Sequence, residues 1–462
     1  MPDSPHAAAA PATSIMPILP AAMPRALVLL FAAACGLSVA NVYYAQPLLD
    51  TLAADFGFSH AAVGVVVSAT QVGCALALLL VVPLGDMLDR RRLTLTQLAL
   101  LCAALLAVGL AASGAALLAG MLAVGLLGTA MTQGLIAYAA SSAAPEERGR
   151  VVGAAQGGVV IGLLLARALA GAVADAAGWR AVYFVSAGLA LLMLAVLWRV
   201  LPAQTPTPAT ARLSYLALLG SMFGLLARER ALQIRGVLAL LLFAAFSIFW
   251  TALVFPLSAP PHALSHTAVG AFGLVGALGA LGAARAGRLA DRGLGQWTSA
   301  AALLLMLAAW WPLSRAPGSL WVLAAGVVAL DLAGQAIHVT NQSMIFSGHS
   351  AAHSRLVGCY MMFYAAGSGA GAIASTAVYA RAGWNGVCVL GAGVSLLALL
   401  FWALTLRHMP PASGNLEKPT ARRDFATAML TVPSYGCASP AELAPLATVF
   451  RGSVQTIKSP QK

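Results

Sequence analysis

Long apolar runs separated by short polar breaks make up most of this chain. A helix needs about 20 apolar residues to cross ~30 Å of hydrocarbon. Twelve runs have that length: α1 at about 25–49, α2 at 61–83, α3 at 93–112, α4 at 115–140, α5 at 151–174, α6 at 179–200, α7 at 233–257, α8 at 267–289, α9 at 296–314, α10 at 319–345, α11 at 356–379 and α12 at 384–407. Inside lipid the backbone must satisfy its own polar groups, so each run is expected to be helical. Three stretches break the pattern. Residues 1–24 are Ala/Pro-rich and read as a disordered tail. Residues 201–232 form a linker, Pro/Thr-rich from Pro202 to Thr210, then amphipathic with Leu213, Leu216, Leu219, Phe223 and Leu226. That second part is expected to be a helix lying on the membrane surface. Residues 408–462 are too poor in apolar side chains to fold alone and read as a second tail.

The pattern also repeats, with an offset of 205 residues. Asp86 returns as Asp291, Arg150 as Arg355, Val152-Gly153 as Val357-Gly358, Gly162 as Gly367, and Gly178-Trp179 as Gly383-Trp384. Two like-oriented halves of six helices each, 25–200 and 233–407, account for a single offset. The expected fold is an all-α membrane protein with two pseudo-symmetric halves, an architecture in which a site between the halves suits transport.

Composition agrees: 60% of the residues are hydrophobic and 9% charged, which leaves the bilayer as the natural solvent. The net charge of +12 is not a nucleic-acid footprint, because Arg90-Arg91-Arg92 is the densest basic block and no soluble domain carries it. Topology explains the excess. Fifteen arginines lie on the side shared by the N-terminus and the even-numbered loops: Arg25, Arg90, Arg91, Arg92, Arg148, Arg150, Arg199, Arg212, Arg228, Arg230, Arg235, Arg288, Arg292, Arg355 and Arg407. Arg180, Arg315 and Arg381 lie on the other. The positive-inside rule then puts both termini in the cytoplasm. The six cysteines form no metal-type pair and are expected to be reduced. Arg25 to Cys35 mimics a signal or lipid-attachment sequence, but the apolar run continues to Leu49, too long for a cleaved segment.

Several motifs narrow the family. The break after α2 reads Pro83-Leu84-Gly85-Asp86-Met87-Leu88-Asp89-Arg90-Arg91-Arg92, and the break after α8 reads Gly287-Arg288-Leu289-Ala290-Asp291-Arg292. Both resemble the G-x-L-A-D-R-x-G-R-R loop of the major facilitator superfamily. The first copy departs from it at Val82, Met87 and Asp89; the second keeps G-x-L-A-D-R and lacks the basic ending. With Asn41-Val42-Tyr43-Tyr44-Ala45-Gln46-Pro47 closing α1, Leu164-Leu165-Ala166-Arg167 in α5, Phe249-Trp250-Thr251 in α7 and Leu330-Asp331 in α10, the chain looks like the bacterial drug and sugar efflux proton antiporters. The resemblance covers about 25–407. It implies twelve helices, alternating access, an inner-membrane location and a small organic solute exchanged for protons. α5 has Gly162-Leu163 where dedicated drug antiporters have Gly-Pro. In these loops Asp86, Arg90, Arg91, Asp291 and Arg292 are expected to gate: an Asp at a helix end can accept from a neighbouring helix N-terminus and pair with an Arg of the other half.

Polar groups inside the runs point to the site. A charge at the bilayer centre costs at least ~2.5–3.5 kcal/mol, so its presence suggests use. Of the 14 acidic residues only Asp331 falls mid-span, and Arg167 is the clearest mid-span base. Neither recurs: the repeat places Leu126 and Ala372 at the matching positions. They are the candidate proton-coupling pair, with Arg167 balancing Asp331 or an anionic substrate group. Asp331, Gln335, His338 and Gln342 form one stripe along α10, beside Asn341. The family lines its cavity with α1, α4, α7 and α10, so Asn41, Tyr44, Gln133, Trp250, Gln335, His338, Asn341 and Gln342 are the substrate candidates. Tyr360, Tyr364 and Ser368 stripe α11, where Gly367, Gly369 and Gly371 make helix packing the expectation. Arg285 is expected to snorkel.

No ATP-binding loop, HExxH or Ser/His/Asp grouping is present, so neither an enzyme nor an ATP motor is expected. No cofactor or metal is implied. The expected partners are a small-molecule substrate, protons and the lipid bilayer, with no nucleic acid, and the chain is expected to be a monomer. Efflux is the first reading. Metabolite uptake by proton symport is the second, and a non-transporting membrane sensor the third.

Overall fold

The computed structural model describes residues 23–144, 146–201, 214–280, 283–316, 318–346 and 353–409. The tail after 409, residues 1–22 and the Pro/Thr-rich part of the linker lie outside the described residues. Every regular element among the described residues is a helix. α3 is Arg90–Gly109, α4 Gly114–Ser142, α5 Arg148–Ala177, α6 Trp179–Val200 and α10 Leu320–Phe346, close to the lengths read from hydropathy. α2 spans Gly64–Gly85, α7 Arg230–Ser258 and α9 Arg292–Leu313. The linker helix, Tyr215–Arg228, is half-exposed with Leu216 and Phe223 outward.

Three elements differ from the sequence expectation. α1 is regular only over Arg25–Ala40 and then turns into a short 3-10 segment, Gln46–Leu48, and a helix at Leu49–Phe56. The Asn41 amide donates to its own helix at Leu37 O, 2.7 Å, offering the backbone an alternative to continued helix, and Pro47 removes a donor just beyond. α8 is cut into His266–Val275, Ala277–Ala280 and Ala283–Leu289. Glycines at 270, 273, 276 and 279 lower its helix propensity. α11 and α12 form one run, His353–Thr405, turned at Gly383 with φ 60°. Gly178, one repeat earlier, turns α5 into α6 with φ 82°. Only glycine holds such angles at no steric cost.

The 205-residue repeat is also a repeat of packing. A Cβ on Gly162 of α5 would overlap the Gly36 carbonyl of α1; a Cβ on Gly367 of α11 would overlap the Leu240 carbonyl of α7. Bare backbone on backbone replaces the hydrophobic driving force that lipid removes. Gly162→Leu should therefore push α1 from α5 and lower the unfolding temperature in detergent by several degrees, whereas Gly157→Leu, with open space around it, should leave it within a degree or two; overpacking costs about 1–3 kcal/mol. Equal melting of the two variants would show that the seam is slack.

The halves meet along two helix pairs. The end carrying Arg90–Arg92, Arg148 and Arg150 is called the basic end, and the opposite one the far end. At the far end, α2 and α11 close through Thr376 Oγ1 to Ala61 O, 3.1 Å, and Ser68 Oγ to Gly369 O, 2.7 Å. α5 and α8 close where Gly171 meets His266 and Gly270 meets Arg167. Gly157, on the same face of α5 but nearer the basic end, has nothing within 4 Å. The α5–α8 contacts at Gly171 and Gly270 thus lie in the far half of the seam.

Candidate functional site

Arg167 and Asp331 enter the interior from opposite halves, 6% and 8% exposed. α8 makes room for both. Gly270 lies on the Arg167 backbone, and Gly276 and Gly279 lie against the Asp331 side chain, where any Cβ would collide. The two charges form no direct ion pair. Trp250 stands with both: its ring covers the guanidinium at 4.2 Å, and its indole interacts with the Asp331 carboxylate. The Tyr43 ring lies 5.1 Å from the guanidinium, and Nε donates to Gln46 Oε1, 2.8 Å. Desolvated cation–π contacts of this kind contribute about 2 kcal/mol each. The Arg167 Nη groups have no protein acceptor among the described residues. They border a small void, about one water in size, lined by Gln46, Pro47, Trp250, Val269 and Gly270.

An aromatic wall continues from this point. The Tyr43 and Tyr364 hydroxyls hydrogen-bond across the two halves. Tyr364 packs on Phe243 with ring centroids 4.1 Å apart, and Phe243 meets His338 edge-on at 5.2 Å. His338 Nδ1 pairs with the Tyr360 hydroxyl at 2.9 Å, and Gln342 lies 3.4 Å from its Nε2. Trp250, His338 and Gln342 therefore share one polar, aromatic interior with the charge pair. Gln335 and Gln133 are half-buried and have no hydrogen-bond partner among the described residues.

Three candidates face elsewhere. Asn41 Oδ1 accepts from Ser186 Oγ of α6 at 2.6 Å, pinning α1 to α6 within one half, and the buried Tyr44 stands beside the same Ser186. The helix ends at Ala40, so the 3.6-residue period used to phase Asn41 and Tyr44 no longer holds, and Tyr43 and Gln46 take the inner face. Asn341 accepts from Arg235 Nη1 at 3.2 Å. Arg235, counted above with the loop arginines, is fully buried and also donates to Ser299 Oγ, 2.7 Å, and Gln296 Oε1, 2.9 Å. Asn341 thus belongs to a polar core of the second half.

In the loop after α2, Arg91 donates to the last carbonyls of α6, Trp198 O at 2.7 Å and Leu201 O at 2.9 Å. Arg90 donates to Gly85 O at 3.0 Å and Ala137 O at 3.3 Å. Cations at helix C-termini are favourable, and here they brace the first half against itself. Asp89, a departure from the family loop, caps α3 by accepting from Arg92 N at 2.7 Å. The side chains of Asp86 and Asp291 lie outside what is described. Arg292 and Arg285 are exposed.

The far end holds a cluster that no spacing rule could find. His266, just before the α8 run, points Nδ1 at Asp175 Oδ1, 2.9 Å, and Nε2 at Asp50, 3.1 Å. Thr267 caps Asp175 with its N–H and hydroxyl, 2.8 and 2.6 Å. Both ring nitrogens face carboxylates of the other half, which requires the doubly protonated ring. Asp50 first, then Asp175, push the His266 pKa up to about 9 against the opposing effect of burial. A raised histidine stabilises the contact fully below its free value of about 6.5 and loses it as pH rises through the shifted one. Spin labels across the far end should therefore report a wider, broader distance above about pH 9, and Asp50→Asn should bring that change closer to neutrality. A distance unchanged between about pH 6 and about pH 10 would rule out a His266 latch.

Comparison with known proteins supplies the context. The family model for the Major Facilitator Superfamily matches residues 27–351. The Escherichia coli (strain K12) protein called "Putative uncharacterized transporter YgaY" is 42% identical over 377 residues, 82% of this chain and 95% of that one. The "Probable transporter SCO4007" of Streptomyces coelicolor is 36% identical over 380 residues, 81% of this chain and 86% of its own. Among solved structures, a bacterial homolog of the human lysosomal transporter Spinster, inward-facing and unoccupied, superposes with a TM-score of 0.68 at 14% identity, covering 83% of this chain and 97% of that chain.

Proposed function

From the premise that this chain belongs to the major facilitator superfamily, we propose that it moves a small organic solute across the bacterial inner membrane by proton-coupled alternating access, both termini cytoplasmic, working as a monomer. Its class is that of a multi-pass membrane transporter and not an enzyme. The observation that carries the coupling is the placement of Asp331. A lone carboxylate from one half, packed on α8 glycines, shares Trp250 with a guanidinium from the other half. When the halves rock, the separation of the two charges changes, and with it the balance between a protonated and an ionised carboxylate. The resemblance favours efflux, in which solute and proton displace each other at Asp331. The second reading, symport, is favoured by the Nη groups of Arg167, which lack an acceptor and could hold an anion.

Inside-out vesicles provide the test. With a solute panel, an imposed pH gradient should drive net flux of at least one compound, and collapse of the gradient should stop it. Flux indifferent to the gradient would remove proton coupling. The loop after α2 is proposed to set the conformational equilibrium, not the choice of solute. Asp86→Asn should change the transport rate and the labelling of single cysteines at the basic end, with relative solute preference unaltered; a switched preference at normal rate would contradict this role.

A further inference from the structure

We infer that the substrate carries a carboxylate, and that it binds on the Nη edge of Arg167 beside the Tyr43–Trp250–Tyr364 aromatic wall. This deepens the transport reading and rests on it for its place in a cycle, though binding can be measured alone. Three observations point the same way. Arg167 is held rigidly: Trp250 covers one side, the Tyr43 ring lies 5.1 Å away, and Gln46 takes Nε. What remains is the planar Nη edge, the part of a guanidinium whose forked donors match a carboxylate. That edge has no acceptor among the described residues and borders the void beside Gln46 and Trp250. A buried guanidinium whose two end nitrogens lack acceptors is an incomplete arrangement, and a carboxylate completes it. The other walls of the void, Pro47, Trp250, Leu253, Val254 and Val269, are apolar or aromatic, so the rest of the substrate is apolar.

Charge then sets the sign of coupling. Ionised Asp331 balances Arg167 without substrate; protonated Asp331 leaves a positive charge that an anion neutralises. Proton and carboxylate therefore bind together and travel in the same direction, so this inference takes the second reading, symport, over efflux. A cationic substrate would do the opposite, replacing the proton. The geometry favours the anion, because the site offers free donors on Arg167 and a carboxylate already packed against Gly276 and occupied by Trp250.

The test uses the purified full chain in detergent and matched probe series: acetate, hexanoate and phenylacetate, with the amide and the amine of each. Binding is read by calorimetry. One of the carboxylates should bind at least about tenfold more tightly than its amide and amine partners. Above the pH at which Asp331 ionises, its affinity should fall about tenfold per pH unit. Arg167→Gln should lose that preference. Should Arg167→Gln not fold, Asp331→Asn carries the test, because it leaves the receptor intact: carboxylate binding should persist and its pH dependence should vanish. Tighter binding of an amine or amide, or no binding by the carboxylate series at about 10 mM, overturns the inference. Carboxylate binding without gradient-driven flux overturns the transport proposal and leaves this one standing; flux of an amine with no carboxylate binding does the reverse.

Discussion

Asp331→Asn is expected to abolish accumulation against a gradient while sparing exchange of solute at equal concentrations. The asparagine is nearly the same shape, so the packing of α10 on Gly276 and Gly279 survives, and its amide can still meet the Trp250 indole. What disappears is the proposed proton-exchanging group. The free-energy difference between the two conformations then no longer depends on protonation at this site, and a proton gradient has nothing to act on there. The concentration ratio reached in loaded vesicles should fall to about one, and counterflow should remain within about tenfold of wild type. Full accumulation by this variant would move the coupling site elsewhere, and the His266 cluster would be the next place to look.

Arg167→Lys should fail despite keeping its charge. Lysine has a compact ammonium with no plane to lie under Trp250 and beside Tyr43, and it cannot donate to Gln46 through an Nε fixed in that plane. Losing one to two desolvated cation–π contacts, about 2 kcal/mol each, predicts a fall of roughly thirtyfold to about a thousandfold in kcat/KM. Arg167→Ala should do worse, because it removes the guanidinium under Trp250 altogether and leaves Asp331 buried without the charge that balances it. Adding Asp331→Ala should recover expression and thermal stability more than transport. Wild-type flux in Arg167→Ala would show the arginine to be dispensable, and the proposed carboxylate receptor would fall with it.

Much of this arrangement was legible before any coordinates. Lipid forces helix on long apolar runs, so hydropathy alone located the elements, and Gly178 and Gly383 marked the same sharp turn in each half. Asp331 and Arg167 stood out because charge inside an apolar run is costly. The residues around them were harder to read. Tyr43 and Gln46 were missed because the period of α1 lapses at Asn41, whose side chain bonds its own helix. Arg235 looked like a loop arginine because it sits three residues inside a run, yet it is fully buried on Ser299, Gln296 and Asn341. His266 and Asp50 are 216 residues apart, a pairing that only the closure of two halves creates. Tyr364, expected to serve packing, does so against Phe243 and also reaches Tyr43 of the other half.

The glycine seams have an evolutionary corollary. Gly162 on Gly36 and Gly367 on Leu240 are one contact drawn twice, whereas Arg167 and Asp331 have Ala372 and Leu126 as their counterparts. If every position were substituted and scored, the tolerance profile of the first half should overlie that of the second at the seams and turns. It should split at these two positions, intolerant in one copy and permissive in the other. A duplicated ancestor would have had two equivalent halves. Confining each charge to one copy ended that equivalence, so exchanging the halves as blocks should keep the shape of the molecule, while grafting Asp onto Leu126 or Arg onto Ala372 should add a burden with no matching benefit.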